Sequence, residues 1–382
     1  MSETEDSPVV RGGNGDDSSA STPFVICIGR TDIRQSGVEQ LNRDLRSELE
    51  AMHVEHEWLD WAHYTPTESR GRFSFTGLQG AASTLTSLAR LCRAHRQRGT
   101  TVYFPLSQHG WGLARDIVTA VVAGVSGGRR RTSVIHLHGE FRAAMQPRPA
   151  LSRWGYWCVA HVPRTTFVAQ VRGLRLAGSP SVFVPSRAPI PEGLRRARAL
   201  PKSPEPTLVF LGFVAPSKGF HILIEAFAQL SVPARLVVVG PVFEELVRYE
   251  RRFCTPERWH RALAMMRSDE RIECVGPVYG DDRFGYLRRA WACLLPSFTE
   301  GGSVVVQEAL AVGTSVIATA VGPLPEMLAD SPGHRLVRPM DVQGLCAAMA
   351  DSLAAGVREP LGVSPTYLDG GTTIAEVLAR RG

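Results

Sequence analysis

One stretch restricts the fold more than any other: ACLLPSFTEGGSVVVQEALAVGTSVIATAVG, residues 292–322. Ala292 to Leu295 is a short apolar run that reads as a buried strand, and a polar loop with Glu300, Gly301 and Gly302 follows it. Ser303 stands where a helix N-cap belongs, Val304 to Ala311 is the helical run, and Gly313 marks its stop. Ser315 to Val321, apolar and β-branched, predicts the next strand. A strand–loop–helix–strand unit of this kind belongs to a parallel α/β sheet. Ligands of such sheets bind outside the carboxyl ends of the strands, where the Glu300 loop lies.

The loop chemistry narrows the ligand. Two glycines let backbone come close to a ligand, and the free N–H groups that open the next helix attract phosphate. A carboxylate does not bind phosphate, so Glu300, and Glu308 eight residues on, suit hydrogen bonds from hydroxyl groups. Phosphate beside a polyol suggests a nucleotide-sugar. The plainer alternative is a solvated loop glutamate and an exposed helix glutamate.

The 382 residues are enough for two domains. Residues 1–22 are rich in Gly, Ser and Asp and predict a disordered tail. Phe24 to Ile28, closed by Gly29, predicts a strand; the loop RTDIRQSG, ending at Gly37, leads to a helix from Val38 to about Met52. This first glycine-bearing turn fits a Rossmann-like domain but has no G-x-G-x-x-G run, so a dinucleotide fingerprint is unsupported. Helices are expected over Ala81–Gln97, Trp111–Val125 and Phe167–Leu176, and strands over Thr101–Pro105, Ser133–Leu137 and Ser181–Pro185. Residues from Ile190 to Pro206 read as a linker. Beyond it, strands are expected at 207–213, 235–239 and 271–275, and helices at Ile222–Leu230, Phe284–Trp291, Asp341–Ala355 and Thr373–Arg380. Glu326 falls in the first turn of a helix opened by Pro323 and Pro325, where the helix dipole accounts for it. The expected fold is α/β, two Rossmann-like domains facing across a cleft. The expected divisions are 1–22 tail, 23–203 first domain, 204–362 second domain, and 363–382 a C-terminal helix crossing back to the first.

Charge is uneven. Residues 23–200 hold 24 Arg, no Lys and 12 Asp plus Glu, an excess of +12, while the rest of the chain carries −6. Such a basic half suits nucleic acid, anionic lipid or a phosphorylated acceptor, and equally a plain solvated arginine-rich surface. No helix-turn-helix, zinc-finger or RNA-recognition pattern supports nucleic acid. Arg129, Arg130 and Arg131 read first as a solvated basic loop; with the adjacent apolar helix they are also a candidate membrane-surface patch, the second choice. Seven scattered cysteines without a C-x-x-C pair argue for a reducing compartment and against zinc. With no secretory signal in view, the expected location is cytoplasmic, with peripheral contact at the inner face of a membrane.

Only two lysines occur, Lys202 in the linker and Lys218 before Gly219 at a strand-to-helix turn. A compact ammonium at that turn suits a diphosphate oxygen. His136 and His138 alternate at the end of a strand, with Glu140 the only nearby third ligand for a metal; structural histidines are the alternative. Asp281–Asp282 is not a D-x-D motif, and no metal site is expected.

The segment LLPSFTEGG…EALAVGTSVIATAVGPLPEML resembles the E-x7-E signature of the retaining glycosyltransferases of family 4, which have the GT-B fold. The resemblance is strong over about 207–330 and weak before it. It implies transfer of a sugar, with retention, from a nucleoside-diphosphate-sugar to a hydroxyl acceptor, in polysaccharide or glycolipid assembly, with no further cofactor. It places the donor sugar hydroxyls on Glu300, the ribose hydroxyls on Glu308, and phosphate on the backbone of Gly301, Gly302 and Ser303. Lys218 then neutralises the leaving diphosphate, Gly212 opens its loop, Val278 and Tyr279 lie against the base, and His138 contacts the donor sugar region. Gly37 belongs to the acceptor-side loop. One departure stands out: the family pattern G-R-x-x-x-x-K-G is met at Gly212, Lys218 and Gly219, but Phe213 replaces the arginine. Two rival readings follow, a catalytically impaired nucleotide-binding relative, and a nucleotide-sugar epimerase or phosphorylase on the same fold.

Overall fold

The computed structural model describes residues 23–29, 37–60, 75–107, 110–137, 150–169, 175–184, 192–248, 250–329, 333–357 and 373–380. The elements are β1 (Phe24–Ile28), α1 (Gly37–Ala51), β2 (His56–Leu59), α2 (Phe75–Ala94), β3 (Thr100–Pro105), α3 (Gly110–Ser126), β4 (Arg131–Leu137), α4 (Ala150–Ala160), β5 (Thr165–Ala169), β6 (Arg175–Leu176) and β7 (Ser179–Phe183). They continue with α5 (Glu192–Arg198), β8 (Thr207–Leu211), a 3-10 turn at Pro216–Lys218, α6 (Phe220–Ala228), β9 (Arg235–Val239), α7 (Pro256–Ser268), β10 (Ile272–Gly276) and α8 (Asp282–Arg289). The last are β11 (Ala292–Leu295), α9 (Val304–Ala311), β12 (Ser315–Thr319), α10 (Leu324–Leu328), β13 (Arg335–Val337), α11 (Val342–Ala354) and α12 (Ile374–Arg380).

Two sheets form. The first runs β2-β1-β3-β4-β5-β7-β6, parallel except for the β6–β7 pair. The second runs β10-β9-β8-β11-β12-β13 and is parallel throughout. Both are doubly wound. In the second sheet the strand order reverses between β8 and β11, and a crevice at the carboxyl ends of those two strands is where such a sheet takes a ligand. Strands β1, β8, β11 and β12 are buried along their whole length because helices cover both faces, which is why each reads as a continuous apolar run.

Four readings of the sequence change here. Thr165–Ala169 is a strand between β4 and β7, not a helix, and Arg175–Leu176 belongs to a two-residue strand beyond it. Its Thr-Thr-Phe-Val-Ala sequence is β-branched and its last three residues are buried, as a central parallel strand requires. Second, Arg131 is not part of a solvated loop. It is 3% exposed, opens β4, and donates to Ser133 Oγ at 3.0 Å and the Pro163 carbonyl at 2.7 Å. Third, the segment read as a linker contains α5, whose Leu194 and Ala197 join the apolar cluster of the second sheet with Leu211, Phe284 and Leu287. Fourth, Lys202 is structural: its ammonium donates to the Ala290 carbonyl at 2.8 Å and Thr314 Oγ1 at 2.7 Å. At the C-terminus, Ala375, Val377 and Leu378 of α12 share a cluster with Val25, Leu45 and Leu49 of the first domain.

Candidate functional site

The second sheet's reversal point is built from two loops. After β8 the chain makes the Pro216–Lys218 turn, and Gly219 then starts α6 in the left-handed region with φ 65°. A Cβ there would lie 1.9 Å from the Pro296 carbonyl oxygen, so the turn presses against the end of β11. After β11 the chain runs through Ser297 and Glu300 to the cap of α9, where Ser303 Oγ accepts from Val306 N at 3.3 Å. Gly322, φ 56°, closes the other side: its Cβ would stand 2.0 Å from the Glu300 carbonyl oxygen. The two close approaches pin the loop after β11 at Pro296 and at Glu300.

The side chains follow. Lys218 and Glu300, 82 residues apart, form an ion pair with Nζ to Oε1 at 2.7 Å. Ser297 Oγ donates to the same Oε1 at 2.7 Å, and Thr319 Oγ1 holds the Ser297 carbonyl at 2.5 Å. Glu300 is 6% exposed, whereas about a third of the Lys218 side chain faces solvent. Lys218 is therefore the more accessible partner of the pair. On the loop's far side Glu250 accepts from Ser217 N at 2.7 Å and Ser217 Oγ at 2.9 Å, which steadies the turn that carries Lys218.

A second pair stands at Glu308. Its carboxylate, 3% exposed, takes three N–H bonds from Arg283: Nε to Oε1 at 3.1 Å, Nε to Oε2 at 3.3 Å and Nη2 to Oε1 at 2.6 Å. Arg283 lies over the Phe284 ring at 4.3 Å and donates to the Gly280 carbonyl as well. The arginine thus ties Glu308 to the Val278–Tyr279–Gly280 turn. Burial pushes the Glu308 carboxyl above its ordinary range, and Arg283 opposes that shift. Val278 packs against the apolar cluster of this half of the sheet, while Tyr279 is half-exposed at the rim.

Of the residues singled out in the sequence, Lys218 and Glu300 are joined directly, and Glu308 is linked through Arg283 to the carbonyl of Gly280, the residue after Val278 and Tyr279. Gly212 follows β8, and Gly301, Gly302 and Ser303 lead into α9. Gly37 is the first residue of α1, and His138 lies outside the described residues. His136 is buried, with Nδ1 2.9 Å from Tyr103 Oη. Phe213 packs edge-on to Phe243 with ring centroids 5.3 Å apart. Arg283, Ser297 and Glu250 were missed. For Arg283 a signal existed: a cation in the first turn of a helix opposes the helix dipole, which marks a residue kept for another reason. Among the described residues no group of three His, Cys, Asp or Glu could hold a metal ion.

Comparison with known proteins adds the class. Residues 205–355 match the family model of the glycosyl transferases group 1, and both ion pairs lie within that stretch. Among curated proteins, the D-inositol 3-phosphate glycosyltransferase of Mycolicibacterium vanbaalenii is 29% identical over 170 residues, 44% of this chain and 37% of that protein. The match therefore spans little more than a third of the relative's length. The sucrose-phosphate synthase of Thermosynechococcus elongatus superposes with a TM-score of 0.65 at 18% identity, over 88% of this chain and 92% of the other. Anabaena Alr3699/HepE, solved in complex with UDP and glucose, superposes with a TM-score of 0.60 at 15% identity, over 94% and 95%. The fold is thus GT-B, two Rossmann-like domains facing across a cleft, and the stretch similar to the glycosyl transferases group 1 lies in the second.

Proposed function

We propose that the protein is a retaining, metal-independent glycosyltransferase that moves a sugar from a nucleoside-diphosphate-sugar to a hydroxyl acceptor, in polysaccharide or glycolipid assembly. The observation that carries this reading is the Lys218–Glu300 pair at the sheet's reversal point, inside the stretch similar to the glycosyl transferases group 1. Lys218 supplies a cation to the leaving diphosphate from its solvent side while Glu300 fixes its position. Gly301, Gly302 and Ser303 offer backbone N–H groups to phosphate at the start of α9. Glu300 accepts hydrogen bonds from the donor sugar and Glu308 from the ribose, with Arg283 holding the Glu308 carboxylate in place. Val278 and Tyr279 border the base, and His138 reaches the donor sugar from the first domain. No side chain here acts as a covalent nucleophile in this account. Rate enhancement rests on positioning and on charge stabilisation of the departing diphosphate. The relative solved with UDP makes uridine diphosphate sugars the first donors to test.

The test is turnover of a panel of nucleoside-diphosphate-sugars, read as nucleotide release and as anomeric configuration of the product. Nucleotide released with an inverted product, or none released from any donor, sinks the reading. Phe213 supports one rival, a nucleotide-binding relative with impaired catalysis. Under that reading Phe213→Arg, which restores the second cation of the family pattern, raises turnover at least tenfold. An unchanged rate removes Phe213 as its basis.

A further inference from the structure

Helices α3 and α4 pack side by side on the first sheet. Leu113, Ala120 and Ala123 of α3 and Tyr156 and Val159 of α4 enter one apolar cluster. Gly155 lets the helices close up, since a Cβ there would meet Ile117 Cδ1 at 2.8 Å. The opposite face of the pair is apolar too, although it faces water. Val118, Val121 and Val125 of α3 are 46%, 48% and 80% exposed, and Trp154 and Trp157 of α4 are 60% and 52% exposed. The three valines recur at helical spacing on the side away from the core, as do the two tryptophans. Three exposed valines and two exposed tryptophans on neighbouring helices mark an interaction site rather than scattered surface apolar groups.

The charge around the patch selects the partner. Arg153 within α4, Arg129 and Arg130 after α3, and Arg164 after α4 are all exposed. Residues 110–131 and 150–169 contain one acidic residue, Asp116, and it is buried and bonded to Ser107 N at 2.7 Å and to Arg115 Nε at 2.8 Å. A two-fold pairing of this face with a second copy would set arginine against arginine with no carboxylate to offset it. Tryptophans and arginines around an aliphatic centre instead match the headgroup layer of an anionic bilayer. There the indoles sit at the interface and each cation near the surface contributes about 1 kcal/mol. No helix among the described residues is long and apolar enough to cross a membrane, so the contact would be peripheral.

We propose that the outer face of α3 and α4 docks the protein on an anionic lipid surface, with the tryptophans and valines entering the headgroup region and the arginines meeting lipid phosphate. The proposal rests on this face alone and stands or falls apart from the donor site.

The experiment is co-sedimentation of the full chain with phosphatidylcholine vesicles and with mixed phosphatidylcholine–phosphatidylglycerol vesicles, at low and high salt. Wild type should bind the mixed vesicles at low salt, lose them at high salt, and ignore the neutral ones. Trp154→Ser/Trp157→Ser and Arg129→Gln/Arg130→Gln should each weaken binding by a factor of about ten to thirty, as two interfacial groups predict. Their thermal transitions and nucleotide affinity should stay at the wild-type values, because all four side chains are exposed. Brominated lipid should quench wild-type fluorescence and spare the double tryptophan variant. Failure of wild type to bind anionic vesicles, or equal binding by the variants, overturns the proposal. So does a wild-type dimer that the tryptophan substitutions dissociate, which would assign the face to a second copy.

Discussion

Removing Arg283 isolates the Glu308 carboxylate, and its cost should depend on pH in a defined direction. In the wild type that carboxylate is 4% exposed in its side chain and receives three N–H bonds from an arginine 23% exposed. Arg283→Met keeps the chain length and the contact with Phe284 but leaves a buried charge alone. Breaking a buried pair this way costs about 3–5 kcal/mol when the remaining group stays ionised. Glu308 has an escape, since burial already raises its carboxyl and Arg283 restrains that rise. Without the arginine, its folded pKa rises further above the unfolded value. Between those two values the folded state binds a proton that the unfolded state does not, so acidification favours folding by about 1.4 kcal/mol per pH unit. Urea unfolding near pH 8 should therefore show the variant about 3 kcal/mol less stable than wild type, and near pH 5.5 the gap should shrink by more than 1 kcal/mol. Adding Glu308→Gln should remove the pH dependence of the gap. A gap equal at both pH values, or below about 1 kcal/mol near pH 8, would refute the view that Arg283 compensates a buried carboxylate.

Two further outcomes follow from the same region and its surroundings. His221 is buried, stacked on Phe298 with ring centroids 5.6 Å apart, and burial together with the Arg258 charge holds it down to about 4 from 6.5. Its unfolded form takes a proton below 6.5 that the folded form refuses until about 4, so stability should fall by about 3 kcal/mol as pH drops through that window. His221→Leu should flatten this slope in acid unfolding curves, and an unchanged slope would clear His221 of the effect. Gly322→Ala forces a Cβ to within 2.0 Å of the Glu300 carbonyl at φ 56°, so it should lower stability by about 2 kcal/mol or more and displace the Glu300 loop, weakening nucleotide binding. Gly178→Ala, with φ 90° but nothing within 4 Å, should leave nucleotide affinity untouched. Equal affinities for the two variants would disconnect Gly322 from the site.

The sequence was most informative where local chemistry decides structure. The Ser303 cap, the Val304–Ala311 helix and the Ala292–Leu295 strand are readable because capping, stopping glycine and an apolar run all agree. Agreement fails at 165–169 and 175–176. A central parallel strand covered on both faces has no alternation, and its apolar run has the same look as a buried helix. Arg131 looked like its two exposed neighbours because its partners, Ser133 Oγ and the Pro163 carbonyl, are supplied by folding. The site shows the same divide. Lys218 could be singled out by its rarity, and Glu300 by its loop, but their contact depends on β8 and β11 becoming neighbours. Arg283 was harder still, since nothing near it in sequence announces Glu308, 25 residues further on.

The measurement that tests the central claim most directly is titration calorimetry of nucleoside diphosphates, beginning with UDP, into wild type, Lys218→Ala and Glu308→Ala. The account predicts that one nucleotide binds wild type and that each substitution weakens it at least tenfold. At a hundredfold excess over its dissociation constant it should also stabilise wild type by about 2.7 kcal/mol. Binding that is equal in all three proteins would place the nucleotide elsewhere and contradict the donor site at the β8–β11 crevice.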